Sequence, residues 1–307
     1  MTARIRIGTR GSRLALAQAG GIRDALAAAL PGSEPELIVI KTSGDRFVDR
    51  PLREIGGKGL FVKEIEQALV DGAIDCAVHS MKDLPGELAP GLVLAAVPNR
   101  EDPRDVLVTR SASSLEDLPR GARIGTSSTR RRALCRALRP DLELAELRGN
   151  VDTRLRKLEN GEVAGILLAA AGLRRLGVTP AGAHALDPTA FVPAIGQGAL
   201  ALETRDDHFR DLVGRLDHAE SAVRARAERA VLAALGGSCH TPIAAHAVVD
   251  GDTIHVRGVV VRPDGGVRVE ASLTGAASAA EEVGYDLARA LRDRGADAIL
   301  EALDVHG

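Results

Sequence analysis

Arginines, hydroxyl residues and a single carboxylate recur in this sequence at points where strand-like runs give way to helix-like ones, and binding or catalysis could be placed there. Thr9-Arg10-Gly11-Ser12 ends one apolar run and opens a helical period. The free N–H groups of a helix start, with the forked guanidinium of Arg10, suit an anion; without a ligand, Ser12 is simply a helix cap. The construction recurs at Thr126-Ser127-Ser128-Thr129-Arg130-Arg131-Arg132, and Arg148-Gly149-Asn150 repeats it before a helix carrying Arg154. From Arg120 through Lys157 there are ten Arg and one Lys against Asp141, Glu143, Glu146 and Asp152, a local charge of +7 in a chain of net charge −2. A polyanion site follows, with a solvated arginine-rich helix face as the other reading that the residues leave open.

Three further segments have reactive potential. His79-Ser80-Met81-Lys82-Asp83 ends an apolar run and sets the Asp83 carboxylate among hydroxyls and cations, where it can move protons, stabilise a cationic intermediate or form an ordinary salt bridge. Gly56-Gly57-Lys58-Gly59 fails the phosphate-loop pattern, because Gly and not Ser or Thr follows Lys58. It suggests instead a lid that brings a cation over a cleft, or a plain loop. Gly236-Gly237-Ser238-Cys239-His240 leaves a thiol in a glycine-rich turn; near cations it is a nucleophile, and otherwise a small hydrophobe.

The elements that must position these residues read as α/β over roughly the first 200 residues. Candidate strands are 4–8, 36–41, 74–79, 92–97, 123–126, 142–147, 165–169 and 199–203, with helices at 12–30 and 60–69 among those between. Pro98–Pro103 and Phe191–Gly198 are turn-rich and bracket a stretch of domain size, as paired hinges around an inserted domain would. The openings Ile7–Leu16 and Ile124–Leu134 are alike, each giving strand, hydroxyl-rich turn and then helix, which fits two similar lobes facing across a cleft. From about Asp217 an Ala/Arg-rich helix, three alternating strands and a final helix, 279–294, indicate a separate α+β domain, with Asp250-Gly251 as a hairpin turn. The expected division is 1–98 with 197–216, 99–196, and 217–307.

Composition excludes several classes. The 307 residues, 45% hydrophobic and 27% charged, supply a core and argue against disorder. The longest apolar stretch, 163–171, is far short of the roughly 20 residues that cross a bilayer. The first eight residues alternate charged and apolar types, unlike a secretory signal, so a cytoplasmic protein is expected. Three separated cysteines suggest neither a disulfide framework nor a zinc site, and no metal is expected. Four Phe, one Tyr and no Trp give bases little to stack on, which disfavours nucleic acid.

Taken together these residues resemble the porphobilinogen deaminase (hydroxymethylbilane synthase) family over essentially the whole chain. The resemblance rests on Ile7–Ser12, Gly56–Lys63, Ala77–Asp83, Arg100–Asp105, Gly125–Ser128, Leu147–Val151 and Pro193–Ala199. It implies two lobes like those of solute-binding proteins and a smaller C-terminal α+β domain bearing a dipyrromethane cofactor on Cys239. It implies a monomeric transferase of tetrapyrrole biosynthesis that joins four porphobilinogens head to tail, releasing ammonia, and hydrolyses off hydroxymethylbilane. By position Asp83 matches the catalytic aspartate. Lys82, Ser12, Thr126, Ser128, Arg130, Arg131, Arg148 and Arg154 match cofactor-contacting positions, and Arg10, Arg175, Ser80, Gln197 and Lys58 match substrate-contacting ones. Ser238 stands where a second Gly is common, and Thr129 where Leu is usual; neither removes a reacting group. A two-lobed binding module for a small polyanion, without catalysis, is the alternative.

Overall fold

Alternation in the first strand and a four-residue apolar spacing behind it build the first unit of the fold. The computed structural model describes residues 4–43, 62–237 and 241–304. Strand β1 (Arg4–Thr9) buries Ile5 and Ile7. Helix α1 (Arg13–Ala29) is capped by Ser12, whose Oγ accepts from the Ala15 N–H at 3.3 Å, and it buries Gln18, Ile22 and Leu26 along one face. Strands β2 (Glu34–Val39) and β3 (Cys76–Ser80) lie parallel on either side of β1. Helix α2 (Lys63–Val70) covers the face opposite α1 with Ile65 and Leu69, which pack on Ala77.

After β4 (Leu92–Ala96) the chain crosses to a second sheet, entering it as β5 (Asp105–Thr109). That sheet adds β6 (Arg123–Gly125), β7 (Glu143–Ala145), β8 (Gly165–Ala169) and β9 (Ala183–Ala185), with helices α3 (Thr129–Leu138), α4 (Val151–Glu159) and α5 (Ala170–Arg175) between them. The chain then returns as β10 (Leu200–Arg205), between β3 and β4, and α6 (His208–Gly214) follows. The strand orders, β2-β1-β3-β10-β4 and β7-β6-β8-β5-β9, are equivalent position by position. In each, the first three strands run parallel and the fourth runs antiparallel to both neighbours. That fourth strand is always the one that has just crossed from the other sheet. β1 and β6 hold the same place, so the two similar openings are similarly positioned as well.

The crossings run side by side. Arg100 Nε donates to the Gln197 carbonyl at 2.9 Å, and Glu101 N–H to the Gly198 carbonyl at 3.2 Å. Gly196 has φ +71°, and a Cβ there would lie 2.6 Å from Met81 Cγ, so only glycine fits this return. Arg100 also forks onto Glu228 at 2.7 and 3.0 Å, and that wholly buried carboxylate accepts further hydrogen bonds from Gly196 N and Ala247 N. Burial would raise the Glu228 pKa, but Arg100 and His246 outweigh it and hold it at about 2. One carboxylate thus ties the second crossing to the C-terminal unit.

That unit is helix α7 (Ala219–Leu235), an antiparallel meander β11 (Ile243–Asp250), β12 (Thr253–Val261) and β13 (Arg268–Ala276), then α8 (Ala280–Asp293) and α9 (Ala296–Asp304). Its core joins Val231, Val256, Leu287 and Leu291, while Ala244, Val259 and Val261 pack with Leu134 and Cys135 of α3. Gly251 turns the β11–β12 hairpin at φ +58°.

The two sheet-and-helix lobes and the α+β unit agree with the expected fold class, and most strands differ from the expected bounds by only a residue or two. Four elements were not anticipated: β5, β9, α6 and α9. β5 has only three apolar residues, Val106–Val108, and β9 only three residues in all, so each depends on tertiary pairing rather than on its own pattern. Helix α9 follows Gly295, directly after 279–294, which was read as the chain's last helix.

Candidate active site

Strand β3 delivers its C-terminal residues to the lobe edge, and the single turn Met81–Asp83 after it is anchored by the buried Met81. A cavity there is lined by Arg10, Ser12, Gln18, His79, Ser80 and Asp83, with Val62, Ile65 and Val78 as apolar wall. Four residues expected from sequence, Arg10, Ser12, Ser80 and Asp83, therefore share one cavity. Ser80 Oγ is held by Gln18, with Gln18 Nε2 donating at 3.0 Å. The Asp83 carboxylate accepts no hydrogen bond from any described residue, leaving its lone pairs available to a ligand.

The second lobe contributes a network centred on Asp105, which is fully buried at the start of β5. Arg130 forks onto it at 2.8 and 3.0 Å and also donates to the Val192 carbonyl. Arg131 Nε reaches the same carboxylate at 2.7 Å, and its other nitrogens reach the Leu167 carbonyl and Gln197 Oε1. Gln197 Nε2 donates to the Pro103 carbonyl and to Asp105, and its Oε1 accepts from Lys82 Nζ at 3.4 Å. Burial opposes ionisation of Asp105, yet Arg130 and Arg131 prevail and hold it at about 2. The forks of Arg130 and Arg131 are thus largely spent within the chain, while their net positive charge stays beside Lys82.

Lys82 shows that charge. Burial first, then Arg131, lowers its ammonium pKa to about 8, so it is a cation below that value and loses its charge above it. Arg154 is likewise lowered, to about 10, by burial and then by Arg131, and remains charged at neutral pH. Among the described residues only its Nε has a partner, the Gly149 carbonyl at 2.9 Å, which leaves the two terminal nitrogens for an incoming carboxylate.

The other expected residues are placed as follows. Ser128 caps α3, accepting from Arg131 N at 3.4 Å, and buried Thr126 accepts from Ser128 N at 3.2 Å. Arg148 pairs with Glu146 at 2.7 Å, and Arg175 donates to the Gly198 carbonyl at 2.7 Å. Cys239, Ser238 and Lys58 lie outside the described residues. Cys76 and Cys135 are fully buried; burial raises the Cys76 thiol strongly and pushes Cys135 to about 12. Neither is a nucleophile. Sequence reasoning did not assign Asp105, Gln18, His79 or Glu203. Asp105 was on view at the end of Arg100-Glu-Asp-Pro-Arg-Asp105, but its arginine partners are distant in sequence.

Asp105→Asn is expected to destabilise the protein by about 3 to 5 kcal/mol, the cost of stranding buried guanidinium charge, measured by denaturant unfolding. A loss below about 1 kcal/mol would show that the two guanidiniums relax to water. Because ionised Asp105 sits below the ordinary 3.8, its contribution is complete above that pH and is lost as pH falls toward 2.

Comparisons with known proteins cover most of the chain. The family model "Porphobilinogen deaminase, dipyromethane cofactor binding domain" matches residues 5–211, and "Porphobilinogen deaminase, C-terminal domain" matches 222–293. The porphobilinogen deaminase of Syntrophotalea carbinolica is 52% identical over 303 residues, covering 98% of this chain and 96% of the relative. That of Syntrophobacter fumaroxidans is 50% identical over 302 residues, covering 97% of each. Among solved structures, a probable amino-acid ABC transporter extracellular-binding protein from Bacillus subtilis is similar at 13% identity and a TM-score of 0.43, over 70% of this chain and 89% of that one. With both family models matched in order and half the residues shared along nearly the full length of named relatives, the chain belongs to the porphobilinogen deaminase family.

Proposed function

We propose that this chain is a transferase that deaminates four porphobilinogens in turn, joins them head to tail and releases hydroxymethylbilane. The observation that carries this reading is the Asp83 carboxylate, which accepts no hydrogen bond from any described residue and lines a cavity with Arg10. Each porphobilinogen brings carboxylates for the cations and a pyrrole N–H for Asp83. As the carbon–nitrogen bond of the aminomethyl group breaks, positive charge grows on the substrate, and a fixed carboxylate beside it lowers the barrier.

The donor set also fits the family's dipyrromethane. Arg154 offers two terminal nitrogens without described partners, Lys82 is a cation at neutral pH, and Arg148, Ser12, Thr126 and Ser128 present donors at helix starts. Arg130 and Arg131 stand behind them as fixed positive charge on Asp105. When bound through Cys239, the dipyrromethane supplies the pyrrole to which the first substrate is joined. Arg10, Arg175, Ser80, Gln197 and Lys58 are assigned to incoming substrate. The domain division at 98/99, 196/197 and 216/217, action as a monomer in the cytoplasm and independence from nucleic acid belong to the same proposal. The crossings between sheets support the division, and among the described residues no helix is long and apolar enough to cross a membrane.

Incubating the holoprotein with porphobilinogen tests this reading. Ammonia should be released with a linear tetrapyrrole that closes without enzyme to uroporphyrinogen, which air then oxidises to uroporphyrin. Saturable binding with no ammonia would favour the polyanion-binding module instead.

A further inference from the structure

Behind the cavity wall lies a group of ionisable side chains that the proposed reaction leaves unused. His79 lines the cavity, and its Nε2 is 3.1 Å from Oε2 of Glu203, which is wholly buried. Glu203 on β10 pairs with Ala77 of β3, two residues from His79, so both side chains lie on the sheet face covered by α2. Helix α2 adds Glu66, whose pKa is raised by burial and then by the Glu203 charge. Helix α7 adds Arg229, held by the Gly86 carbonyl at 2.8 Å and close enough to feel Glu203. Glu203 Oε1, Glu66 Oε1 and Arg229 Nη1 are buried with no hydrogen-bond partner, the kind of polar cluster that orders water and conducts protons. The other ionisable groups around His79 are Asp83 and Arg10 in the cavity and the buried, protonated Cys76 on β3.

We infer that His79 accepts the proton released each time a new carbon–carbon bond is made, and that Glu203, backed by Glu66, positions its ring and carries the proton away. This rests on the function proposed above. When the substrate methylene that has lost ammonia bonds to the α-carbon of the terminal pyrrole, that carbon still holds its hydrogen. The C–H bond then breaks, its electron pair returns to the ring, and the proton goes to His79 Nδ1. The imidazolium passes the Nε2 proton to Glu203, and the released ammonia takes it up as ammonium, so neither oxidant nor reductant is needed. Asp83 is poorly suited to this step, because a carboxylate that took the proton would lose the charge that steadies the cation. The two tasks require groups in different environments.

The test uses His79→Gln and Glu203→Gln holoproteins, read by single-turnover addition of one porphobilinogen and by nitrogen NMR of the His79 ring. His79→Gln should slow addition by about 10²-fold or more and leave substrate affinity unchanged. Glu203→Gln should slow addition as well, and the ring should no longer be fixed with its proton on Nε2. A His79→Gln protein that keeps its rate would overturn the inference. So would a Glu203→Gln protein whose rate and ring tautomer are unmoved, and this result decides if His79→Gln does not fold. A wild-type holoprotein that releases no ammonia would overturn the proposed function, and with it this step, even if the NMR showed the His79–Glu203 pair intact.

Discussion

Replacing Asp83 by Asn is expected to lower the rate of substrate addition on cofactor-loaded protein by at least about 10²-fold with the fold unchanged. The side chain has no hydrogen-bond partner among the described residues, so the amide strands no internal donor and stability should be retained. What is lost is charge: Asn keeps the shape and one carbonyl acceptor for a pyrrole N–H, but not the anion that balances the cation formed as ammonia leaves. A group acting through developing charge is worth about 10² to 10³ in rate, and substrate affinity should change far less, because the ground state already carries its own charges. Single-turnover rates on loaded, folded protein separate this effect from faulty assembly. A near-normal rate in that variant would remove Asp83 from the mechanism.

The helix starts were legible because their signals are local. Ser12 and Ser128 cap α1 and α3 as their types and positions indicate, and Asp250-Gly251 turns a hairpin with the positive φ that its glycine permits. The likeness between Ile7–Leu16 and Ile124–Leu134 was one short coincidence, yet it marks equivalent strands of equivalent sheets. Local signals stop at pairing. Arg130 and Arg131 read as ligands for an external anion, whereas the Arg130 fork and the Arg131 Nε both donate to Asp105, 25 and 26 residues earlier in the chain. That carboxylate was hidden in sequence because β5 draws its order from the neighbouring strands β8 and β9. His79 and Glu203 are separated by 124 positions, and only the antiparallel register of β3 and β10 brings them together. An arginine count locates positive charge, but which guanidiniums remain for a ligand depends on where the chain's own carboxylates fall.

Cys239→Ser is expected to abolish both cofactor attachment and turnover. Of the three cysteines, Cys76 and Cys135 are buried with thiols held protonated, and a protonated, inaccessible thiol cannot attack an electrophile. Cys239 follows the glycine pair that closes α7: Gly236 adopts φ +67°, and a Cβ on Gly237 would come within 2.5 Å of Ile243 Cδ1. Attack of the Cys239 thiolate on the electrophilic methylene that porphobilinogen forms when it loses ammonia would give a stable thioether, so the protein could build its own primer from substrate. Serine keeps the size of the side chain but is a far weaker nucleophile at neutral pH, so the variant should fold and remain unloaded. Intact-mass measurement with peptide mapping should find a two-pyrrole adduct on the Cys239 peptide of the wild-type protein and none in the Ser variant. An active protein with unmodified Cys239, or an adduct on the Cys76 or Cys135 peptide, would overturn the assignment and with it the self-made primer.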